Sequence, residues 1–220
     1  MRLRLAARSS DLARIQAYIV GEELQERGHE IEFVFRESLG DRRLDLDLSQ
    51  TGEKGVFTQD FHKGLMEGEF DLVVHSWKDL PTEFRDGTKI VATLDREDVR
   101  DVLLLKKSVF QEPGEHLVIL SSSPRRSYNL KPLLPRLLPF ESADIEFKAI
   151  RGNVPTRLRK LIEDKGAHGL VMAKAALDRM LGFKPTERGP DEEQKKIAAM
   201  QTALRAYLQD LRWMILPVSA

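Results

Sequence analysis

The chain has 220 residues, and its 35 basic and 35 acidic side chains give a formal net charge of zero. This balance argues against a dedicated nucleic-acid binder, which is usually basic overall. The sequence contains no cysteine, which excludes disulfides, thiolate metal sites and cysteine nucleophiles. Its histidines lack metal-ligand spacing, and no apolar run reaches the length of a membrane span or a secretion signal. We therefore expect a cytoplasmic protein with no metal, no nucleic-acid partner and no membrane partner.

The first half of the chain alternates strand and helix patterns. Short apolar runs predict strands, and a polar segment from 37 to 55 with little periodicity predicts a loop. Such alternation predicts a mainly parallel sheet covered by helices on both faces. The predicted elements are, in chain order, a strand at 3–7, a helix at 11–27, a strand at 31–35, a helix at 57–66 and a strand at 70–74.

The second half repeats this alternation and then ends differently. Apolar residues recur at helical spacing from Ile197 to Leu211, and Pro190 precedes three acidic residues that favour a helix start. We predict a long amphipathic helix at about 190–213 whose apolar stripe packs in the core. The fold class is therefore α/β with two domains, 1–97 and 98–220, and the alternative is a single larger sheet. The second domain is predicted to have strands at 102–105, 118–120, 145–150 and 169–173 and a helix at about 156–165.

A charged turn follows the predicted strand at 70–74. His75-Ser-Trp-Lys-Asp-Leu-Pro81 places Lys78 beside Asp79, and Pro81 prevents the strand from continuing. In open α/β sheets, ligands bind beyond the carboxyl ends of the strands. Asp79 is the carboxylate that stands among cations at such a strand end, so it is the candidate acid, base or cation-stabilising group. The alternative is a solvated surface ion pair of little energetic weight.

Three further segments combine small polar residues with arginine, each directly after a predicted strand. Serine hydroxyls and the N–H groups of a helix start donate to anions, and arginine offers a planar fork to a carboxylate. Three such segments together predict a cleft for a ligand with several carboxylates or phosphates. Its candidate residues are Arg8 and Ser10, then Ser121, Ser123, Arg125 and Arg126, then Arg151 and Arg157.

These segments resemble the porphobilinogen deaminase family, also called hydroxymethylbilane synthase. They follow the family's order across most of the first 180 residues. The matching segments are Arg4-Leu-Ala-Ala-Arg-Ser-Ser10 with Gln16, Gly40-Asp41, Lys54-Gly-Val-Phe57, His75 to Pro81, Arg96-Glu-Asp-Val-Arg-Asp101, Ser121-Ser-Ser-Pro-Arg-Arg126, Arg151-Gly-Asn-Val-Pro-Thr-Arg157 and Ala173 to Arg179.

The resemblance implies two α/β domains of the periplasmic-binding-protein type II kind, with the active site between them. It also implies the stepwise condensation of four porphobilinogens with release of ammonia, in tetrapyrrole and haem biosynthesis. By position, Asp79 resembles the catalytic aspartate, which assists proton transfer at the pyrrole nitrogen and steadies the cationic intermediate. The residues that resemble holders of acetate and propionate groups are Arg8, Ser10, Lys78, Ser121, Ser123, Arg125, Arg126, Arg151, Arg157 and Arg179.

The chain also departs from the family. The family attaches its dipyrromethane cofactor to a cysteine in a small third domain, and this sequence has no cysteine. We expect that this domain and the final strand of the first domain's sheet are missing, and that a separate polypeptide or the missing domain completes the protein. An alternative function stays open, that of a non-catalytic anion- or tetrapyrrole-binding protein with the same fold.

Overall fold

A computed structural model describes residues 1–37, 58–82, 86–112, 114–141, 144–184 and 191–218 of the chain. The chain forms two compact units, Met1–Asp95 and Arg96–Ala220. The domains predicted at 1–97 and 98–220 meet close to this division and stay a prediction. Predicted features within 38–57, including the Gly40-Asp41 and Lys54 to Phe57 segments, lie outside the described residues.

The first unit contains a parallel three-stranded sheet in the order β2-β1-β3. Alternate residues of β1 point to opposite faces, as expected for a strand. Leu5 and Ala7 pack with Ala17 of α1, while Ala6 packs with Phe61 of α2 and Phe70. Both faces are therefore covered. The elements are β1 (Arg2–Arg8), α1 (Asp11–Glu26), β2 (Glu30–Arg36), α2 (Gln59–Met66) and β3 (Leu72–Val73), followed by a 3-10 turn at Trp77–Asp79.

The second unit contains a five-stranded sheet in the order β6-β5-β7-β4-β8. Strands β5, β6 and β7 are parallel, and β4 runs antiparallel to both of its neighbours. The strands are β4 (Asp101–Lys106), β5 (His116–Ser121), β6 (Asp144–Ala149), β7 (Gly169–Ala173) and β8 (Leu211–Ile215). The helices are α3 (Ser108–Gln111), α4 (Pro124–Leu130), α5 (Leu134–Leu137), α6 (Val154–Glu163), α7 (Lys174–Gly182) and α8 (Asp191–Gln209).

Strand direction brings four chain segments to one edge of this second sheet. Parallel strands β5, β6 and β7 all end there, and the antiparallel strand β4 begins there, since Asp101 pairs with Ala173 at the end of β7. Below this edge, buried Leu103, Ile119 and Val171 form the centre of one core. The predicted α/β class, with mainly parallel sheets flanked by helices, is confirmed.

The prediction of one helix at about 190–213 is wrong at its C-terminal end. The helix α8 ends at Gln209, and Leu211–Ile215 instead forms β8, which pairs with β4 from Lys106↔Leu211 to Val102↔Ile215. Helical periodicity continues as far as Leu211, but pairing satisfies the backbone groups along the outer side of β4 and buries Leu211 and Leu216. The predicted core role of the helix stripe agrees with the burial of Ile197 and Leu204.

Candidate functional site

The carboxyl ends of β1 and β3 bring Arg8 and Asp79 together in the first unit. Arg8 is the last residue of β1, and the chain passes from β3 through His75 and Ser76 into the 3-10 turn that holds Asp79. The Arg8 Nη1 atom lies 4.0 Å from Asp79 Oδ2, and the two side chains are 22% and 26% exposed. A carboxylate and a guanidinium therefore meet at the edge of the sheet, partly shielded from water.

Local hydrogen bonds hold this turn in place. The Asp79 N–H donates to the Ser76 carbonyl at 2.9 Å, and the Gln16 Nε2 of α1 donates to the Ser76 hydroxyl at 3.2 Å. Ser10 occupies the N-cap position of α1 without a side-chain capping bond. Lys78 is exposed and makes no ion pair with another described residue. The first unit thus presents a helix start, a cation and a carboxylate on neighbouring segments.

His75 lies directly before this turn and packs edge-on against Phe61, with ring centroids 5.3 Å apart. Burial lowers the pKa of His75, with the Arg8 charge acting in the same direction and the Asp79 charge opposing it. The structure therefore favours the neutral imidazole. His75 is therefore a packed residue close to the end of β3.

In the second unit, the end of β5 forms a turn of three serines, Ser121 to Ser123. Ser121 is 4% exposed, and its hydroxyl accepts from the Ser123 N–H at 3.2 Å. The Ser123 hydroxyl caps α4 by accepting from the Arg126 N–H at 3.4 Å. We refer to residues 121–123 as the serine turn. Its hydroxyls are placed at the sheet edge by the end of a buried strand and the start of a helix.

Arg126 is held by a carboxylate of this chain. Its Nε and Nη2 atoms donate to the two Asp101 carboxylate oxygens, both at 2.7 Å, and the side chains are 13% and 22% exposed. Such a bidentate pair is among the stronger interactions between side chains. The neighbouring Arg125 is exposed and makes no hydrogen bond or ion pair with another described residue.

The segment from Arg151 to Arg157 reaches the serine turn from α6. Arg157 donates from Nη1 to the Ser122 hydroxyl at 2.8 Å and from Nε to the Gly152 carbonyl at 2.7 Å. The Asn153 side chain caps α6 by accepting from the Thr156 N–H at 3.0 Å. Half-buried Arg151 presents its carbonyl to Lys160 Nζ at 3.0 Å. Arg157 therefore joins the segment at 151–157 directly to the segment at 121–126.

Arg179 lies elsewhere in this unit, with its Nε 3.8 Å from a carboxylate oxygen of Glu97. Beside it, Lys174 contacts both Asp178 and Asp98, at 3.6 Å for the latter. Hydrogen bonds from Arg100 hold the pKa of Asp98 well below its usual range. Charged pairs thus connect Glu97 and Asp98 to the helix α7.

The structure brings the predicted residues together in two sets. Arg8 and Asp79 meet in the first unit, and Ser121, Ser123, Arg126 and Arg157 meet around the serine turn of the second. Sequence reasoning missed the roles of Asp101 and Gln16, although both lie within the quoted motif segments. Asp101 comes directly before the apolar residues that predict a strand at 102–105. An acidic residue at the start of such a strand is the sequence signal that could have identified it.

Within the described ranges, no group of three acidic or histidine side chains is arranged to hold a metal ion. Among the helices that the structure describes, none is both long and apolar enough to cross a bilayer.

Comparison with known proteins gives one consistent family. The family described as "Porphobilinogen deaminase, dipyromethane cofactor binding domain" matches residues 3–210. The chain is 41% identical over 184 residues to the porphobilinogen deaminase of Geobacter sulfurreducens, covering 83% of this chain and 55% of that protein. It is 42% identical over 181 residues to the probable porphobilinogen deaminase of Picrophilus torridus, covering 82% of this chain and 60% of that protein. The chain thus spans between half and two thirds of the length of these curated relatives.

Among solved structures, the methionine-binding protein MetQ is similar with a TM-score of 0.40 and 14% identity, covering 98% of this chain and 99% of that one. A TM-score this low does not define the fold, and the α/β assignment comes from the two sheets of the chain. The family match extends over nearly the whole chain and includes every charged segment described above. The chain belongs to the porphobilinogen deaminase family.

Proposed function

We propose that this chain binds porphobilinogen through its carboxylates and promotes the loss of ammonia from it, as part of hydroxymethylbilane synthesis. The observation that carries this proposal is the Asp79 carboxylate, partly shielded and 4.0 Å from Arg8 at a sheet edge. Family membership supports it, because the relatives are named porphobilinogen deaminase. The proposed cofactor is the family's dipyrromethane group, and the proposed substrate is porphobilinogen.

Asp79 acts on charge that develops in the substrate. When the C–N bond of the protonated aminomethyl group breaks, ammonia leaves with the bonding pair and the pyrrole ring carries a positive charge shared with its nitrogen. This charge is lost when an acceptor pyrrole carbon, or water where no acceptor is bound, adds to the methylene carbon and a proton is released. A fixed carboxylate beside that ring stabilises the charge more in the transition state than in the substrate, and this difference accelerates the step. Arg8, Ser10 and Lys78 are the proposed donors to a carboxylate of the substrate in this unit.

The second unit supplies donors for further carboxylates. The serine turn, Arg125, Arg151 and Arg157 combine hydroxyls and guanidinium groups at one sheet edge. Bonds of this charge-assisted kind contribute about 1.5–3 kcal/mol each. We propose that they hold the acetate and propionate groups of the pyrrole chain, and Arg179 joins this set in the proposal.

These donors fit the carboxylates of the dipyrromethane group, which supplies the first pyrrole acceptor when bound. The residue for its covalent attachment is not among these 220 residues, since the sequence has no cysteine. These residues therefore match the negative charge of the group, and they include no cysteine to form its covalent linkage.

A test that needs no attached cofactor measures binding and ammonia release separately. Titration calorimetry with porphobilinogen gives the affinity, and a coupled assay gives the ammonia released above a buffer control. We expect Asp79→Asn to keep its affinity within about threefold while losing ammonia release by about 100-fold or more. The matched control is Asp86→Asn, which makes the same replacement at an exposed residue outside the candidate site. We expect this variant to behave like the wild type.

Two outcomes contradict the proposal. Loss of binding by Asp79→Asn equal to its loss of ammonia release would make Asp79 a structural residue. Binding by the wild type without ammonia release would instead favour the second candidate, a non-catalytic anion- or tetrapyrrole-binding protein. The observation behind that candidate is the set of donors around the serine turn, which can hold an anion without the Asp79 carboxylate.

A further inference from the structure

Arg126 and Arg157 both reach the serine turn but are held by different acceptors. Arg157 donates to a hydroxyl and a carbonyl, both uncharged, at 2.8 and 2.7 Å. Arg126 gives two parallel bonds to the Asp101 carboxylate, both at 2.7 Å. This fork-to-carboxylate geometry is the one an arginine would use for a substrate carboxylate. In Arg126 the Nε and Nη2 side of the guanidinium is engaged in this way, and Nη1 makes neither of these bonds.

The Asp101–Arg126 pair spans the ligand-binding edge of the sheet. Arg126 belongs to the helix that follows β5, whereas Asp101 begins β4, and β7 lies between these two strands. Neighbouring strands are about 4.8 Å apart, so the pair bridges about 10 Å. Asp101 is itself fixed by the strand ladder, since it is paired with Ala173 and its carbonyl accepts from the Leu216 N–H at 2.8 Å. The carboxylate is therefore a rigid anchor.

The anchored arginine lies in the first turn of the helix that the serine turn caps. Its own N–H donates to the Ser123 hydroxyl, and the Ser123 N–H donates to the Ser121 hydroxyl. Fixing the Arg126 side chain at its far end therefore limits the motion of both hydroxyls. Asp101 also neutralises one of two adjacent guanidinium groups, while exposed Arg125 keeps its charge.

We propose that Asp101 is a positioning residue for the anion-binding edge and that it acts through Arg126. The pair holds the serine turn and the Arg126 guanidinium in the arrangement that receives a ligand carboxylate. This assignment gives Asp101 a role of its own and leaves Arg126 the binding role that the family resemblance implies. Its ligand-dependent part rests on the proposed function.

The first experiment measures amide hydrogen exchange by NMR and needs no ligand. We expect Asp101→Asn and Arg126→Gln each to quicken exchange at the Ser123 and Arg126 positions by about tenfold, with no further change in the double variant. The matched control is Arg125→Gln, which removes the same charge one residue away and should leave these rates unchanged. Unchanged rates in Asp101→Asn, or an equal increase throughout the second unit, would overturn the proposal.

The second experiment measures porphobilinogen affinity by calorimetry for the same variants. A positioning role predicts that Asp101→Asn and Arg126→Gln each weaken binding by about tenfold and that the double variant is no weaker than either. If Asp101 instead competes with the ligand for Arg126, Asp101→Asn leaves the affinity unchanged or improves it, which overturns the proposal. If the wild type does not bind porphobilinogen, the proposed function fails, and the exchange experiment alone decides the positioning role.

Discussion

At the residue scale, the backbone at Gly152 decides how Arg151 and Arg157 are presented. Gly152 has a φ of +118°, a conformation that residues with a Cβ rarely adopt. A Cβ there would also lie 2.7 Å from the Thr156 Cγ2 atom. The turn that carries the Gly152 carbonyl to Arg157 therefore depends on this glycine.

We expect Gly152→Ala to lower the free energy of unfolding by about 1–3 kcal/mol, because the strained φ is added to a steric clash. Urea denaturation measures this loss. The control is Gly182→Ala, at the end of α7, where a Cβ would meet nothing within 4 Å. Alanine should be neutral or stabilising there, by up to about 1 kcal/mol. A neutral effect of Gly152→Ala would show that the turn rearranges at little cost.

His75 and His168 make stability depend on pH in a defined direction. Burial is the main cause that lowers the pKa of each, so the folded state favours the neutral ring. The unfolded chain, with a histidine pKa of about 6.5, takes up protons first as the pH falls. Stability should therefore be fully present above about pH 6.5 and be lost as the pH falls through the lower folded-state pKa values.

Urea midpoints at pH 7.5 and pH 5.5 test this dependence. We expect the wild type to lose stability between these values and His75→Gln to lose less. The quantity compared is the change in urea midpoint between pH 7.5 and pH 5.5, because His75→Gln also alters packing against Phe61 at both pH values. An unchanged difference in His75→Gln would show that His75 does not carry the effect.

At the element scale, α6 shows how a local sequence signal sets a helix start that also serves the site. Asn153 caps the helix by accepting from the Thr156 N–H, and Pro155 occupies its first turn. The predicted start at Thr156 was two residues late, since Val154 begins the helix. The capping residue lies before the apolar residues whose spacing predicts the helix, so that spacing places the helix start too late.

We expect Asn153→Ala to lower the free energy of unfolding by about 0.5–2 kcal/mol, because one N–H donor at the helix start loses its acceptor. Guanidinium denaturation followed by circular dichroism measures the change. Asn129→Ala provides a control, as exposed Asn129 lies inside α4 rather than at a cap. Equal losses in both variants would show that the Asn153 bond contributes nothing specific.

The end of α8 shows the opposite case, in which pairing overrides periodicity. Leu211 continues the helical spacing of Leu204 and Leu208, yet it lies in β8 and pairs with Lys106 of β4. The competing factor is the backbone of β4, whose outer N–H and C=O groups gain partners from β8. This factor lies about 100 residues away along the chain, outside any local pattern.

At the scale of the whole molecule, charge balance hides an uneven distribution. The formal net charge is zero, while Arg125, Arg126 and the Arg151 to Arg157 segment place cations at one edge of the second sheet. Local excess of this kind attracts a small polyanion without making the protein a general binder of nucleic acid.

We expect the purified 220-residue chain to form no hydroxymethylbilane above a buffer control. The reason is chemical, because no cysteine is present to hold a dipyrromethane group through sulfur. Absorbance of uroporphyrin after oxidation measures the product. Turnover well above the control would mean that the chain holds a primer without a thioether.

The sequence by itself determined the α/β class, the core strands and the family, because alternating apolar runs and ordered motif segments are local properties of the chain. It also predicted Arg8 and Asp79 as site residues, and the ends of the parallel strands β1 and β3 bring these two side chains within 4.0 Å of each other. Only the tertiary structure decided that Arg126 pairs with Asp101 and that β8 replaces the end of a helix. Both depend on contacts between distant segments, where the energy of a specific pairing exceeds local preference.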